Sequence, residues 1–158
     1  MEKHIVFDNK EIIILNFHSS LKYSTELRYV LLKRLDELND ENVILLGDFN
    51  AAFKYQSESI VPENHKFLSI LTNERYKFSE LYSIEENEEN PHYTFKLEST
   101  NKQKKLDHIF VSQSLFEKKF NYQIDYIDEV NRNFKGKKTN KEISTDHSGI
   151  KLTFSFGN

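Results

Sequence analysis

The chain has 158 residues, a formal net charge of −3 and no cysteine. That length suits one domain with a real core, and the absence of cysteine excludes disulfides and thiolate-ligated zinc. No apolar run approaches a membrane span and Met1-Glu2-Lys3-His4 opens no signal peptide, so the sequence reads as a cytoplasmic chain.

Residues 4–7 and 12–17 read as two strands joined by a turn at Asp8-Asn9-Lys10. The second is nearly continuous apolar, as in a strand buried on both faces. A helix follows over 24–38, with Leu27, Val30, Leu31, Leu35 and Leu38 on one face. Residues 43–46 form the next strand, and strand–helix–strand order predicts a parallel pair. A second helix runs over 62–73, with Pro62 in its first turn and Phe67, Leu68 and Leu71 inward. After an acidic loop at 85–90, residues 93–97 and 106–111 read as an antiparallel pair around a basic loop. A short turn or helix at 112–118, a strand at 122–130, a lysine-rich loop and a last strand at 149–156 complete the chain. The loop at 135–141 has the composition of local disorder. The 13 Phe and 8 Tyr supply much of the apolar burial.

Charge is unevenly spread. Residues 1–95 carry more acidic than basic side chains, and residues 96–141 the reverse. The basic excess sits in Lys102-Gln103-Lys104-Lys105 and in Lys135-Gly136-Lys137-Lys138 through Lys141. Each run precedes an acidic motif, so Lys104, Lys105, Lys137 and Lys138 are candidate phosphate contacts as well as ordinary surface lysines.

Three acidic motifs carry the chemistry. The strand Ile44-Leu45-Leu46 ends in Gly47-Asp48-Phe49-Asn50-Ala51, which places Asp48 and Asn50 at its carboxyl edge. Asp107 lies in Leu106-Asp107-His108-Ile109-Phe110, where alternation points His108 the other way. Asp146 and His147 adjoin in Ser144-Thr145-Asp146-His147-Ser148-Gly149, and His18 closes an earlier strand. Oxygen-rich pairs of this kind suit hard divalent cations and activated water. A phosphoester hydrolase needs a metal, a carboxylate for the attacking water and a donor to the developing charge. Asp146 suits the metal, Asp48 the water, Asn50 the water or a phosphate oxygen, and His147 the phosphate, with its tautomer fixed by Asp107.

In order, the Gly47–Ala51, Leu106–Phe110 and Thr145–His147 segments resemble the last three motifs of the endonuclease/exonuclease/phosphatase superfamily, the DNase I-like and exonuclease III-like group. Asn16-Phe17-His18 looks like the preceding strand, where a histidine touches the scissile phosphate in DNase I-like members. Tyr93-Thr94-Phe95, with Leu106-Asp107 and Val111-Ser112-Gln113-Ser114-Leu115, is similar to the abasic-site endonucleases. The resemblance implies an α/β fold, part of a DNase I-like sandwich with mixed β-sheet and flanking helices. It also implies a Mg²⁺- or Mn²⁺-dependent hydrolase with Asp48, Asn50 and Asp146 as metal residues, and Asp48, Asn50, Asp107, His147 and His18 as catalytic ones. Substrates of the group include DNA, RNA, inositol phosphates and sphingomyelin; the basic loops favour nucleic acid.

The resemblance covers nearly all of this chain but only the later portion of the family's domain. The family's early asparagine and metal-binding glutamate have no counterpart, and Glu2 and Glu11 do not share that glutamate's context. Gly149 stands where the family has proline, and Thr145 where it has serine. Residues 1–158 are therefore expected to form one truncated domain. Its open strand edges call for a complementary chain, a homodimer or a rearranged core. A phosphate- or nucleic-acid-binding module without turnover is the alternative expectation, and a remnant fragment without independent function is a third.

Overall fold

A computed structural model describes residues 1–7, 9–39, 41–53, 62–73, 75–86, 92–97, 102–118, 120–127, 134–135, 142–143 and 147–156. In chain order its elements are β1 (Glu2–Phe7), β2 (Lys10–His18), α1 (Ser24–Leu38), β3 (Val43–Asp48), α2 (Pro62–Thr72), β4 (Ser79–Glu80), β5 (Phe95–Leu97), β6 (Lys102–Lys104), β7 (Asp107–Val111), α3 (Gln113–Phe116), β8 (Phe120–Ile127), β9 (Phe134–Lys135), β10 (Glu142–Ile143) and β11 (Gly149–Phe156). The expected helices and the first, third and last strands form within a few residues of their predicted bounds.

The central sheet has the order β1-β2-β3-β7-β4. Asn9, at φ 58°, turns β1 back antiparallel on β2, a left-handed position that asparagine tolerates. β2 pairs parallel with β3 after the α1 connection, as the strand–helix–strand order predicted. β7 pairs antiparallel with both β3 and β4.

Strict alternation sorts side chains onto two faces. Ile13 lies opposite Val43 and Leu45 opposite Phe110, on the face covered by Leu31, Leu35 and Leu38 of α1 and Phe67, Leu68 and Leu71 of α2. Ile44 lies opposite Val111 and Leu46 opposite Ile109, on the face covered by the β8–β11 hairpin through Phe120 and Ile124. The result is a mixed α/β sandwich, with helices on one side of the sheet and a second β layer on the other.

Two expectations need correction. Val30 is 61% exposed rather than inward. The buried stripe runs Leu31, Leu35 and Leu38 with Leu27 packed beside it, and Val30 is one step off that stripe. Residues 93–97 do not pair with 106–111 either. β5 pairs with β6, inside the supposed basic loop, and β7 leaves to join the central sheet. The reason is burial: Ile109, Phe110 and Val111 are all buried, as in a strand covered on both faces, and a local hairpin would leave one face open. The strand expected over 122–130 forms as β8, with 128–130 outside the described residues. The loop at 135–141 also lies outside them, apart from Lys135 in β9.

Gly47 has φ +130°, and a Cβ built on it would meet the carbonyl oxygen of Phe17 on the neighbouring strand at 2.0 Å. Backbone opposes backbone there, so neither can yield cheaply. Gly47→Ala is expected to lower stability by about 3 kcal/mol or more, measured by urea unfolding.

The outer strand β1 is held by charge. Arg34 on α1 donates to both Glu2 oxygens at 2.6 and 2.9 Å, and His4 meets Glu2 at 2.8 Å and Glu11 at 2.6 Å. The Arg34 and His4 bonds hold the exposed Glu2 carboxyl down at about 2. A depressed carboxyl stabilises the fold above its ordinary value of 4.5, and that contribution is lost as pH falls through about 2. Glu2→Gln is expected to flatten that stretch of the stability–pH curve, a small change at an exposed site, read from urea midpoints.

Candidate active site

Three strands bring polar residues to one level. His18 on β2 lies in register beside Asp48 on β3, and Asp48 beside Asp107 on β7. Alternation puts all three on the face of Leu46 and Ile109, toward the β8–β11 hairpin. His147, just before β11, comes from that second layer. The Ser148 N–H donates to the Thr94 carbonyl at 2.7 Å, and Phe95 and His147 form a single antiparallel bridge.

The side chains then converge. His147 Nδ1 lies 2.8 Å from Asp107 Oδ2, and His147 Nε2 lies 4.0 Å from Asp48 Oδ2. His18 Nε2 is 3.8 Å from the same Asp48 oxygen, its own side chain largely exposed. Donor atoms of Asp48, Asp107 and His147 all lie within 4.8 Å of one another. The Phe95 ring backs the His147 ring at 5.1 Å between centroids.

The turn after β3 is built by its middle residue. Phe49 is fully buried among Phe17, Phe67 and Phe110, with centroids 5.3, 6.3 and 5.4 Å away. Its neighbours are thereby held at the rim. Asn50 takes φ 45°, its N–H donates to Asp48 Oδ1 at 2.8 Å, and its Nδ2 donates to Ser19 O at 2.7 Å and Asp48 Oδ2 at 3.1 Å. The Phe49 N–H donates to Leu106 O at 2.9 Å, tying this turn to the start of β7. Thr94, 1% exposed, accepts the Leu106 and Asp107 N–H groups on its hydroxyl, each at 3.0 Å. One residue therefore holds both the Asp107 strand and, through its carbonyl, the His147 strand.

Burial pushes the Asp48 carboxyl above its ordinary value, and the Asp107 charge adds to this, while the Asn50 N–H, His147 and His18 oppose it. The net direction suits a group that takes a proton from water. Two carboxylates so close together supply the hard oxygen donors that Mg²⁺ or Mn²⁺ takes. His147 has one nitrogen committed to Asp107, which fixes the ring and leaves the other toward Asp48.

Of the residues expected from sequence, Asp48, Asn50, Asp107, His147 and His18 come together. Asp146, Lys137 and Lys138 lie outside the described residues. Lys104 is half-buried on β6, opposite Phe95. Lys105 does not fit a phosphate contact, because it is 1% exposed and its ammonium is taken up inside the protein. It pairs with Glu86, lies 3.5 Å from Glu80, and sits over the Tyr82 ring at 4.7 Å. Tyr126 on β8 donates to Glu86 at 2.5 Å, and Tyr82 to Glu80 at 2.7 Å. His108, pointing away from the site as alternation requires, places its ring nitrogens 2.6 Å from Glu80 and 2.8 Å from the Ala51 carbonyl. Burial alone would raise the Glu80 carboxyl, but His108, Lys105 and Tyr82 outweigh it and hold it below its ordinary value.

Sequence reading missed Glu80, Glu86 and the role of Thr94. The acidic run at 85–90 looked like a solvated loop, and no periodicity marks one of its members as buried. Lys105→Met is expected to leave the buried Glu86 carboxylate without its cation and Glu80 with His108 and Tyr82, a loss of about 3–5 kcal/mol in urea unfolding.

No family model matches the chain, and no curated protein matches it. Solved structures do. The endonuclease domain of TRAS1, a telomere-specific non-LTR retrotransposon, is 14% identical with TM-score 0.62, over 97% of this chain and 61% of that one. The 3′-5′ exonuclease NExo from Neisseria meningitidis is 17% identical with TM-score 0.62, over 98% of this chain and 64% of that one. An endonuclease/exonuclease/phosphatase family protein from Leptotrichia buccalis is 19% identical with TM-score 0.58, over 97% and 52%. This chain therefore has the fold of the endonuclease/exonuclease/phosphatase structures, and spans between half and two-thirds of their length.

Proposed function

We propose that the chain is the later portion of a divalent-metal-dependent phosphodiester hydrolase of the nuclease type, acting on nucleic acid in the cytoplasm. The observation that carries this reading is the row His18–Asp48–Asp107 across three adjacent strands, met by His147 from the second layer. Two of the similar structures bear the names of an endonuclease and an exonuclease, which supports a nucleic-acid substrate here. No helix among the described residues is long and apolar enough to cross a membrane.

In this reading Asp48 accepts the proton of the attacking water, and Asn50 holds Asp48 in place and orients that water. Asp107 accepts a hydrogen bond from His147 Nδ1–H, which turns Nε2 toward the phosphate, where the protonated ring donates Nε2–H to the developing charge. His18, exposed at the rim, donates to a second phosphate oxygen. Asp48 and Asp107, with Asp146, supply carboxylates for Mg²⁺ or Mn²⁺, which when bound neutralises phosphate charge. Lys104, Lys137 and Lys138 are assigned to the phosphate backbone. The single domain portion over 1–158 is completed by a second polypeptide or a second copy. In support of a site that needs completing, the chain spans 61% and 64% of two matched structures, and among the described residues a two-stranded layer faces a five-stranded sheet.

The test is cleavage of a DNA oligonucleotide with Mg²⁺ or Mn²⁺, by the chain alone and with its completing polypeptide. Asp48→Ala and His147→Ala are each expected to lower the rate at least about 100-fold, and EDTA to abolish it. Binding without cleavage in both assemblies would identify a nucleic-acid-binding module instead and sink the hydrolase reading.

A further inference from the structure

We propose that Arg28 and Asn64, which no motif singles out, are positioning residues that set the direction of the Asn50 side chain; this rests on reading Asn50 as part of the site. Arg28 lies on α1 and Asn64 on α2, in the helical layer behind the sheet. The residues they reach are in the turn at the rim.

The contacts form one closed unit. Arg28 donates from Nη1 to Asn64 Oδ1 at 2.9 Å, and from Nη2 to the carbonyls of Phe49 and Asn50 at 3.3 and 3.5 Å. Asn64 Nδ2 donates to the Asn50 carbonyl at 2.8 Å. The guanidinium lies over the Phe67 ring at 4.8 Å, which fixes its plane. Both ends of the Asn64 amide are spent, one orienting Arg28 and the other on the turn.

Three of these four hydrogen bonds end on the backbone oxygens of residues 49 and 50. A brace meant only to join α1 to α2 would need the Arg28–Asn64 bond alone. Asn50 sits at φ 45°, which asparagine tolerates, but the left-handed backbone does not by itself fix where the side-chain amide points. With the carbonyls of the 49–50 and 50–51 peptides held from behind, the Asn50 amide is aimed at its two acceptors, Ser19 O and Asp48 Oδ2. Orientation therefore passes from α1 and α2 through one turn to the Asp48 carboxylate.

Arg28→Met keeps a side chain over Phe67 and removes the donors; Asn64→Ala removes the other half of the clamp. The direct readout is solvent exchange of the Asn50 side-chain amide, followed by ¹⁵N NMR on the intact chain. Exchange is expected to rise about tenfold or more in each variant, with the double variant no worse than the stronger single one. Backbone amides of Leu45 and Phe110 should keep their protection, and Arg28→Lys should restore part of the Asn50 protection. In the assembly that cleaves DNA, kcat should fall roughly 10- to 100-fold with KM little changed, and Arg75→Ala, on the same side of the fold but away from the turn, should leave it alone. Unchanged Asn50 exchange in folded Arg28→Met and Asn64→Ala overturns the proposal. Faster exchange spread equally over Leu45 and Phe110 overturns it too, since that marks general loosening. The exchange result does not depend on turnover, so a wild-type chain that fails to cleave bears on the proposed function and not on the clamp.

Discussion

The burial of Phe49 is the constraint from which the site follows. A phenylalanine side chain gains about 1.5–3 kcal/mol by leaving water, and this one meets the rings of Phe17, Phe67, Phe110 and His108 between the sheet and the helices. Its backbone neighbours cannot follow it inward. Asp48 is left at the last position of β3 on the opposite face, and Asn50 is forced into a left-handed turn that returns its amide to Asp48. The two polar residues are thus placed by an apolar one, and their spacing of two is the spacing that one buried residue between them demands.

The second requirement is that two layers meet at the same point. Asp48 and Asp107 belong to the central sheet, whereas His147 belongs to the approach to β11. The 2.8 Å contact between Asp107 and His147 exists because Phe120 and Ile124 seat the β8–β11 hairpin on Ile44, Ile109 and Val111. Thr94 and the Lys105–Glu86–Tyr126 group reinforce that seating with polar bonds close to the site. Such a buried charged group contributes less net stability than apolar packing, but its directional bonds permit few alternative arrangements of the connecting loops.

Much of this could be read from sequence, for a local reason. Leu31, Leu35 and Leu38 betray α1 by their period, and the alternating apolar residues of β11 betray a half-covered strand. Asp48 and Asn50 stood out because a glycine and a polar pair interrupt an apolar run. What failed was long-range. Nothing in Asp107–Val111 says that its partners are β3 and β4 rather than the nearby β5, since pairing is decided by which faces become covered. Lys105 and Glu86 read as surface charges because each is costly to bury alone, and only their meeting makes burial acceptable. The role of Thr94, though its segment was part of the resemblance, gave no sign because its work is done by two hydrogen bonds to residues a dozen positions away. Arg28 and Asn64 were silent for the same reason.

The row of His18, Asp48 and Asp107 has a consequence for the order of events in folding. No two of its members are brought together by a local turn; each pairing closes a long stretch of chain, and His147 closes another. Contacts of that kind form late and slowly, because the entropy of closing the chain must be overcome before they reward it. The helices can appear early from their own periodicity, without any part of the polar row existing. The row is therefore assembled only when the whole topology is in place, and a partly folded chain carries an ordinary scattering of acids and histidines with no concentrated reactivity.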